Sequence, residues 1–300
     1  MPAEKMAYAP MCISIHACIN AVRFTSSMHR EIVSGGASAG RREAPSEFML
    51  RRSLRAVVPG GPSSLSKDEI RERIWRLLEE RGVARFPRPV RGRIPNFVGA
   101  EKAAGRIFSR REFEDAEVIK VNPDAPQIPV RRMALAAGKK LLMPTPRLKR
   151  GFMLLDPGRI PKEALRRAST LRGAFKYGRI CPLQQIPNVD LIVVGSVAVS
   201  RDGIRVGKGG GYSEIEYGIL RELRLVDEET PVFTSVHDLQ IIDCAPREAH
   251  DLTVDLISTP RRLLRIRGRH PRPEGILWEM LTDAQMREMP ILHEVRRISK

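Results

Sequence analysis

Residues Val206-Gly207-Lys208-Gly209-Gly210-Gly211-Tyr212 place four glycines within five positions. No regular helix or strand is built at that glycine density, so the segment is a loop. An apolar run, Leu191 to Val199, precedes it, and a helix-like segment, Glu214 to Leu223, follows. Strand, glycine-rich loop and helix start together form a phosphate cradle. Glycine lets backbone N–H groups approach an anion, and the helix N-terminus adds partial positive charge. The loop is not a Walker A motif, because no Gly-Lys-Ser/Thr stands at the required spacing. It also fails the dinucleotide fingerprint, whose third glycine is misplaced here. The structural alternative is a tight turn without a ligand, with Lys208 a solvated loop lysine.

The rest of the chain repeats the strand–helix alternation. Ser66-Lys67-Asp68-Glu69 is a capping box, and Ile70, Ile74, Leu77 and Leu78 then mark one apolar helix face, closed by Gly82. Strands are expected at Val118–Val121, Lys140–Met143, Phe152–Leu155, Val232–Val236, Leu252–Ile257 and Leu263–Ile266, with helices at Val130–Ala137 and Pro161–Ala168. Leu191 to Val199 has the continuous apolar character of a central strand buried on both faces. This order predicts an α/β fold with a mostly parallel sheet and helices on both sides. Residues 1–65 read differently. Two linker-like stretches, Ser34–Gly40 and Pro59–Ser64, flank a region without apolar period, so 1–65 is expected to be a disordered or mis-started extension ahead of one domain at 66–300.

Composition narrows the partners. Lys and Arg number 52 against 35 Asp and Glu, a net charge of +17, which favours polyanions such as nucleotides or RNA. The basic residues are scattered, so a charge-rich solvated surface explains them equally well. Cys12, Cys18, Cys181 and Cys244 show no metal or disulfide spacing, and a cytoplasmic location is expected. Met6 to Val22 is interrupted by Pro10, His16 and Asn20, too short and too polar to span a membrane.

Other candidates carry local alternatives. His237-Asp238 and His250-Asp251 offer bases or metal ligands, but turn and capping roles suit both pairs better. Glu214 and Glu216 stand at a helix start, where they coordinate a cation beside a phosphate or complement the helix dipole. Arg85, Arg88, Arg91 and Arg93 contact phosphates or form a solvated basic loop. No catalytic residue is identified by spacing.

The glycine loop with its surroundings resembles the 5-formyltetrahydrofolate cyclo-ligase (methenyltetrahydrofolate synthetase) family. Gly207, Gly209, Gly210, Gly211 and Tyr212 match its G-x-G-G-G-Y-Y-D-R segment, and Lys67, Ile70 and Arg71 match an early K-x-x-[L/I]-R helix. Lys140 to Pro144 fits its lysine ahead of a strand ending in proline. Gly92 to Phe97, Lys120 to Asp124, Met143 to Leu148 and Val206 to Tyr217 resemble the branch named for a methenyltetrahydrofolate synthetase domain. The resemblance implies a Rossmann-like three-layer α/β/α sandwich of the sugar-phosphate isomerase and coenzyme A transferase group. It implies ATP and Mg²⁺, and a reduced folate or pterin as substrate. Lys67, Arg71, Gly207, Lys208, Gly209, Gly210, Gly211 and Tyr212 would then hold ATP phosphates, Glu214 the metal, and Phe152 and Met153 the substrate. Two departures stand out. Ser213, Glu214 and Ile215 replace the family's second tyrosine, aspartate and arginine, and Cys181-Pro182 replaces a Glu-Pro pair. A non-catalytic nucleotide- or RNA-binding protein on the same fold is the alternative, and an isomerase or acyl transferase a third reading.

Overall fold

A computed structural model describes residues 65–268 and 270–298. The expected extension at 1–65 lies outside the described residues except for Leu65. The capping box forms as expected, and Ser66 starts α1 (Lys67–Glu80), which buries Ile70, Ile74, Trp75 and Leu78. Leu77 packs half-buried at the edge of that face, and Trp75 joins it, its indole N–H donating to the Arg93 carbonyl at 2.9 Å. A two-residue hairpin of β1 (Ala84–Arg85) and β2 (Asn96–Phe97) follows. Next come α2 (Ala100–Phe108) and α3 (Arg111–Asp115), neither of which the sequence signals announced.

Strands β3 (Val118–Val121), β4 (Lys140–Pro144), β5 (Phe152–Leu155), β6 (Arg179–Cys181) and β7 (Leu191–Val194) enter one eight-stranded sheet. Between them run α4 (Ile128–Ala136), α5 (Leu165–Ala168) and α6 (Leu171–Tyr177). Beyond β7 come β8 (Ala198–Ser200), β9 (Arg205–Val206), α7 (Tyr212–Glu222), β10 (Val232–Ser235), β11 (Ile241–Ile242), β12 (Leu256–Ser258) and β13 (Leu263–Arg265). Two short helices, α8 (Asp283–Glu288) and α9 (Ile291–Ile298), close the described chain. The large sheet has the order β13-β12-β10-β7-β3-β4-β5-β6. Pairings from β12 through β4 are parallel, and the antiparallel ones involve only β13, β5 and β6.

Alternation along each strand divides the core between two faces. Ile119, Val121, Leu141, Met143, Leu191 and Val193 pack with Ala104, Ile107, Val130 and Ala134 of α2 and α4. Val118, Leu142, Ile192 and Val194 pack with Ile215, Ile219 and Leu220 of α7 and Leu292 and Val295 of α9. Helices on both faces make the three-layer α/β/α arrangement expected from the resemblance.

The run Leu191–Val199, expected as one central strand, is two. Only β7 joins the large sheet, while β8 pairs with β9 and β11 in a three-stranded sheet that α1 covers. The break at Gly195-Ser196-Val197 is stable because its carbonyls find side-chain donors. Arg205 Nη1 donates to Gly195 O at 2.8 Å, and Gln240 Nε2 donates to Ser196 O and Val197 O at 2.9 and 3.1 Å. At Gly195 a Cβ would lie 2.8 Å from Ile94 Cγ2, so the close approach of the loop after β1 requires glycine there. Apolar composition cannot reveal such a break, since both halves are buried.

Candidate functional site

In chain order β3 is followed by β4 on one side and later by β7 on the other. Between β3 and β7 the winding reverses, and the crevice beyond the carboxyl ends of such strands is where α/β folds bind ligands. The loops leaving β3 and β4, Asn122-Pro123-Asp124 and Thr145-Pro146-Arg147, line a cleft of about 610 Å³ there, facing the glycine loop. A smaller cavity of about 160 Å³ lies on the loop's other side, bounded by Lys67, Arg71, Glu248, His250 and Asp251. Arg205, Gly207, Gly209, Gly211 and Glu214 border both spaces. The glycine loop is thus a partition between a ligand-sized cleft and a phosphate-sized one.

Backbone geometry explains the glycines. Gly211 is the N-cap of α7 at φ 67, a left-handed conformation that costs other residues about 1 kcal/mol or more. Gly210 is required by close approach instead, since a Cβ there would lie 2.6 Å from Tyr212 Cδ2. Arg71 braces the loop from α1, its Nε donating to Gly207 O at 2.8 Å. Beneath the loop Arg205, 2% exposed, pairs with Glu214. Burial raises the Glu214 carboxyl, but the adjacent guanidinium outweighs it and holds the group below the usual carboxylate range.

The charges on the two sides differ. Lys67 Nζ contacts Glu248 Oε2 at 2.5 Å and Asp251 Oδ1 at 2.7 Å, and its hydrogen bond holds the Glu248 carboxyl low. Glu248, His250 and Asp251 bring ligand atoms within 4.8 Å of one another, a set able to hold a cation. In the larger cleft Lys208 Nζ is 3.1 Å from Asp124 Oδ1. Asn122 and Glu216 line this cleft, and behind them Lys120, 1% exposed, contacts Glu216 Oε2 at 2.5 Å while Asn122 Nδ2 donates to the same oxygen at 3.0 Å. Burial pushes the Glu216 carboxyl up despite that lysine. Arg131, fully buried, anchors the loop after β3 through Asn122 O at 2.5 Å and Asp124 O at 3.1 Å, and burial pulls its pKa down to about 10.

The structure therefore gathers Lys67, Arg71, Gly207 to Tyr212 and Glu214 about one loop. Phe152 and Met153 lie elsewhere. Strand alternation sends Phe152 into the core beneath α7 and Met153 into the opposite core, and neither lines the two cavities. Cys181 is buried against Gln185 O, in the wall of a separate pocket. His237 caps the turn at Asp238–Gln240, the local role expected for it, whereas His250-Asp251 joins the acidic cluster beside Lys67. Spacing gave no signal for Arg205 or Glu248. Lys120 carried one: a charged residue inside the apolar strand Val-Ile-Lys-Val needs a buried partner.

The model of the 5-formyltetrahydrofolate cyclo-ligase family matches residues 63–260. A methenyltetrahydrofolate synthase domain-containing protein of Mus musculus is 44% identical over 240 residues, 79% of this chain and 64% of that protein. The chain thus spans less than two thirds of that relative's length. A 5-formyltetrahydrofolate cyclo-ligase of Mycolicibacterium smegmatis is 32% identical over 81 residues, 27% of this chain and 39% of that one. The solved 5,10-methenyltetrahydrofolate synthetase of Aquifex aeolicus superposes with a TM-score of 0.43 at 20% identity, covering 69% of this chain and 96% of that one.

Proposed function

The chain belongs to the 5-formyltetrahydrofolate cyclo-ligase family, and from that premise we propose that it is an ATP-dependent cyclo-ligase. Its reaction would close 5-formyltetrahydrofolate, or a related reduced pterin, to the 5,10-methenyl form. The observation that carries this reading is the glycine partition: a 610 Å³ cleft sized for a pterin beside a 160 Å³ cavity sized for phosphates.

In this reading the loop N–H groups hold the nucleotide phosphates, with Lys67 and Arg71 on one side and Lys208 on the other. The formyl oxygen attacks the γ-phosphorus and ADP leaves. The neighbouring nitrogen then bonds to the activated carbon and gives up its proton. The carbon–oxygen bond breaks with both electrons passing to the departing phosphate, and the methenyl bridge remains. Phosphorylation turns a poor leaving oxygen into a good one, so the protein's work is positioning and charge neutralisation. Glu248 and Asp251 fit Mg²⁺, since two carboxylates border the phosphate-sized cavity and Mg²⁺ binds through one or two carboxylates plus phosphate oxygens. There the ion would supply further charge neutralisation. Glu214 is the second candidate; it pairs with Arg205 as Glu248 and Asp251 pair with Lys67.

Incubation with Mg-ATP and 5-formyltetrahydrofolate, followed by methenyl absorbance and ADP release, tests the proposal. Absence of both products refutes it. The departure from the family's Tyr-Asp-Arg at Ser213, Glu214 and Ile215 favours one alternative, a protein that binds nucleotide without turnover. Nucleotide binding with neither ADP nor methenyl product would select it.

A further inference from the structure

Residues beyond the family-matched span also reach the site. Helix α8 brings Glu288 against two residues that line the larger cleft. Tyr212 Oη donates to Glu288 Oε2 at 2.8 Å, and Arg147 Nη1 contacts Glu288 Oε1 at 2.8 Å. Tyr212 begins α7 and Arg147 follows β4, so one carboxylate ties two walls of the cleft together. The tyrosyl ring in turn lies so close over Gly210 that no side chain fits there. On the same side Gln285 Nε2 would stand 3.6 Å from a Cβ at Gly211. A continuous chain of contacts therefore runs from the C-terminal segment through Tyr212 to the centre of the glycine loop.

We propose that Glu288 is a positioning residue for the glycine loop: by anchoring the Tyr212 hydroxyl it holds the ring over Gly210 and keeps the loop N–H groups in their anion-binding conformation. The proposal rests on the reading of the loop as a nucleotide site. Hydrogen bonding from Tyr212 lowers the Glu288 carboxyl, so the group is ionised at neutral pH and accepts strongly. Loop order that the protein supplies in advance need not be drawn from binding energy, so losing the anchor weakens nucleotide binding without touching the nucleotide.

The test is a calorimetric titration of ATP and Mg²⁺ into the full chain, which reads affinity independently of turnover. Glu288→Ala is expected to raise the nucleotide Kd roughly tenfold, the scale of one lost charge-assisted hydrogen bond. Glu288→Gln keeps an oxygen acceptor for Tyr212 without its charge and should fall between that variant and the parent, about threefold above the parent Kd. Tyr212→Phe should match Glu288→Ala, and the double variant should be no worse than either single one, because both remove the same link. Full additivity, as general loosening of the C-terminal segment would give, overturns the proposal. So does an unchanged Kd in Glu288→Ala. If the parent protein binds no nucleotide, the site reading falls and takes this inference with it; if it binds and the variants bind equally well, only the inference falls.

Discussion

Single residues at the site carry unequal burdens. Gly210 is held by the Tyr212 ring and not by its own φ, so Gly210→Val must displace that ring and with it the loop. The expected outcome is loss of nucleotide binding with little change in thermal midpoint, measured by titration beside a melting curve, because the loop contributes little to the core. Arg205 stands at the other extreme. Its guanidinium donates to Gly195 O and pairs with Glu214 while almost fully buried. Arg205→Met should cost about 3–5 kcal/mol in denaturant unfolding, the range for breaking a buried pair and leaving one charge behind. Glycine density announced the loop in the sequence, but nothing in the spacing announced Arg205, because its partners lie 9 and 10 positions away, one in α7 and one in the break between the two sheets.

Elements meet at the site through few contacts, and these are sensitive to conditions. Helix α1 reaches the acidic cluster through Lys67, whose hydrogen bond depresses the Glu248 carboxyl. Because Glu248 binds a proton less readily folded than unfolded, its share of stability is complete above the unfolded-state value of about 4.3 and is lost as pH falls through the lower folded one. Protection of α1 amides against hydrogen exchange, taken relative to the intrinsic rate at each pH, should therefore fall below about pH 4, and Glu248→Gln should reduce that acid dependence. The break between β7 and β8 offers a second check. Gln240→Ala strands two buried carbonyls, Ser196 O and Val197 O, and should destabilise by about 1–3 kcal/mol in chemical denaturation. Regular elements with strong caps or alternation were legible beforehand: α1 from its capping box, β3 and β5 from their apolar runs. Helix α2 was not, because Gly99 gives it no side-chain cap and its buried face is largely alanine, Ala100, Ala103 and Ala104, which does not stand out as core in the sequence.

At the scale of the whole molecule, the excess of 17 positive charges acts on any polyanion. Charge alone predicts RNA binding that is indifferent to sequence, with affinity falling by about 10³–10⁵ between roughly 50 and 200 mM salt if six to ten phosphates are contacted. Filter binding with two unrelated RNA sequences across that range measures it. A preference for one sequence that survives at the higher salt would make RNA a specific partner. Among the described residues no helix is long and apolar enough to cross a membrane.

Local spacing in the sequence was enough for the strand–glycine loop–helix unit and the α/β class, and the resemblance of motifs from Lys67 to Tyr217 was enough for the family. Tertiary structure alone decided what surrounds that loop. Lys67 meets Glu248 and Asp251 across 181 and 184 positions, and Glu288 meets Tyr212 across 76. The same folding divided one apolar run between two sheets and sent Phe152 and Met153 into opposite cores. Hydrogen bonds and ion pairs act over about 3 Å whatever the separation along the chain, so only the assembled sheet, with its reversal between β3 and β7, fixes which side chains they join.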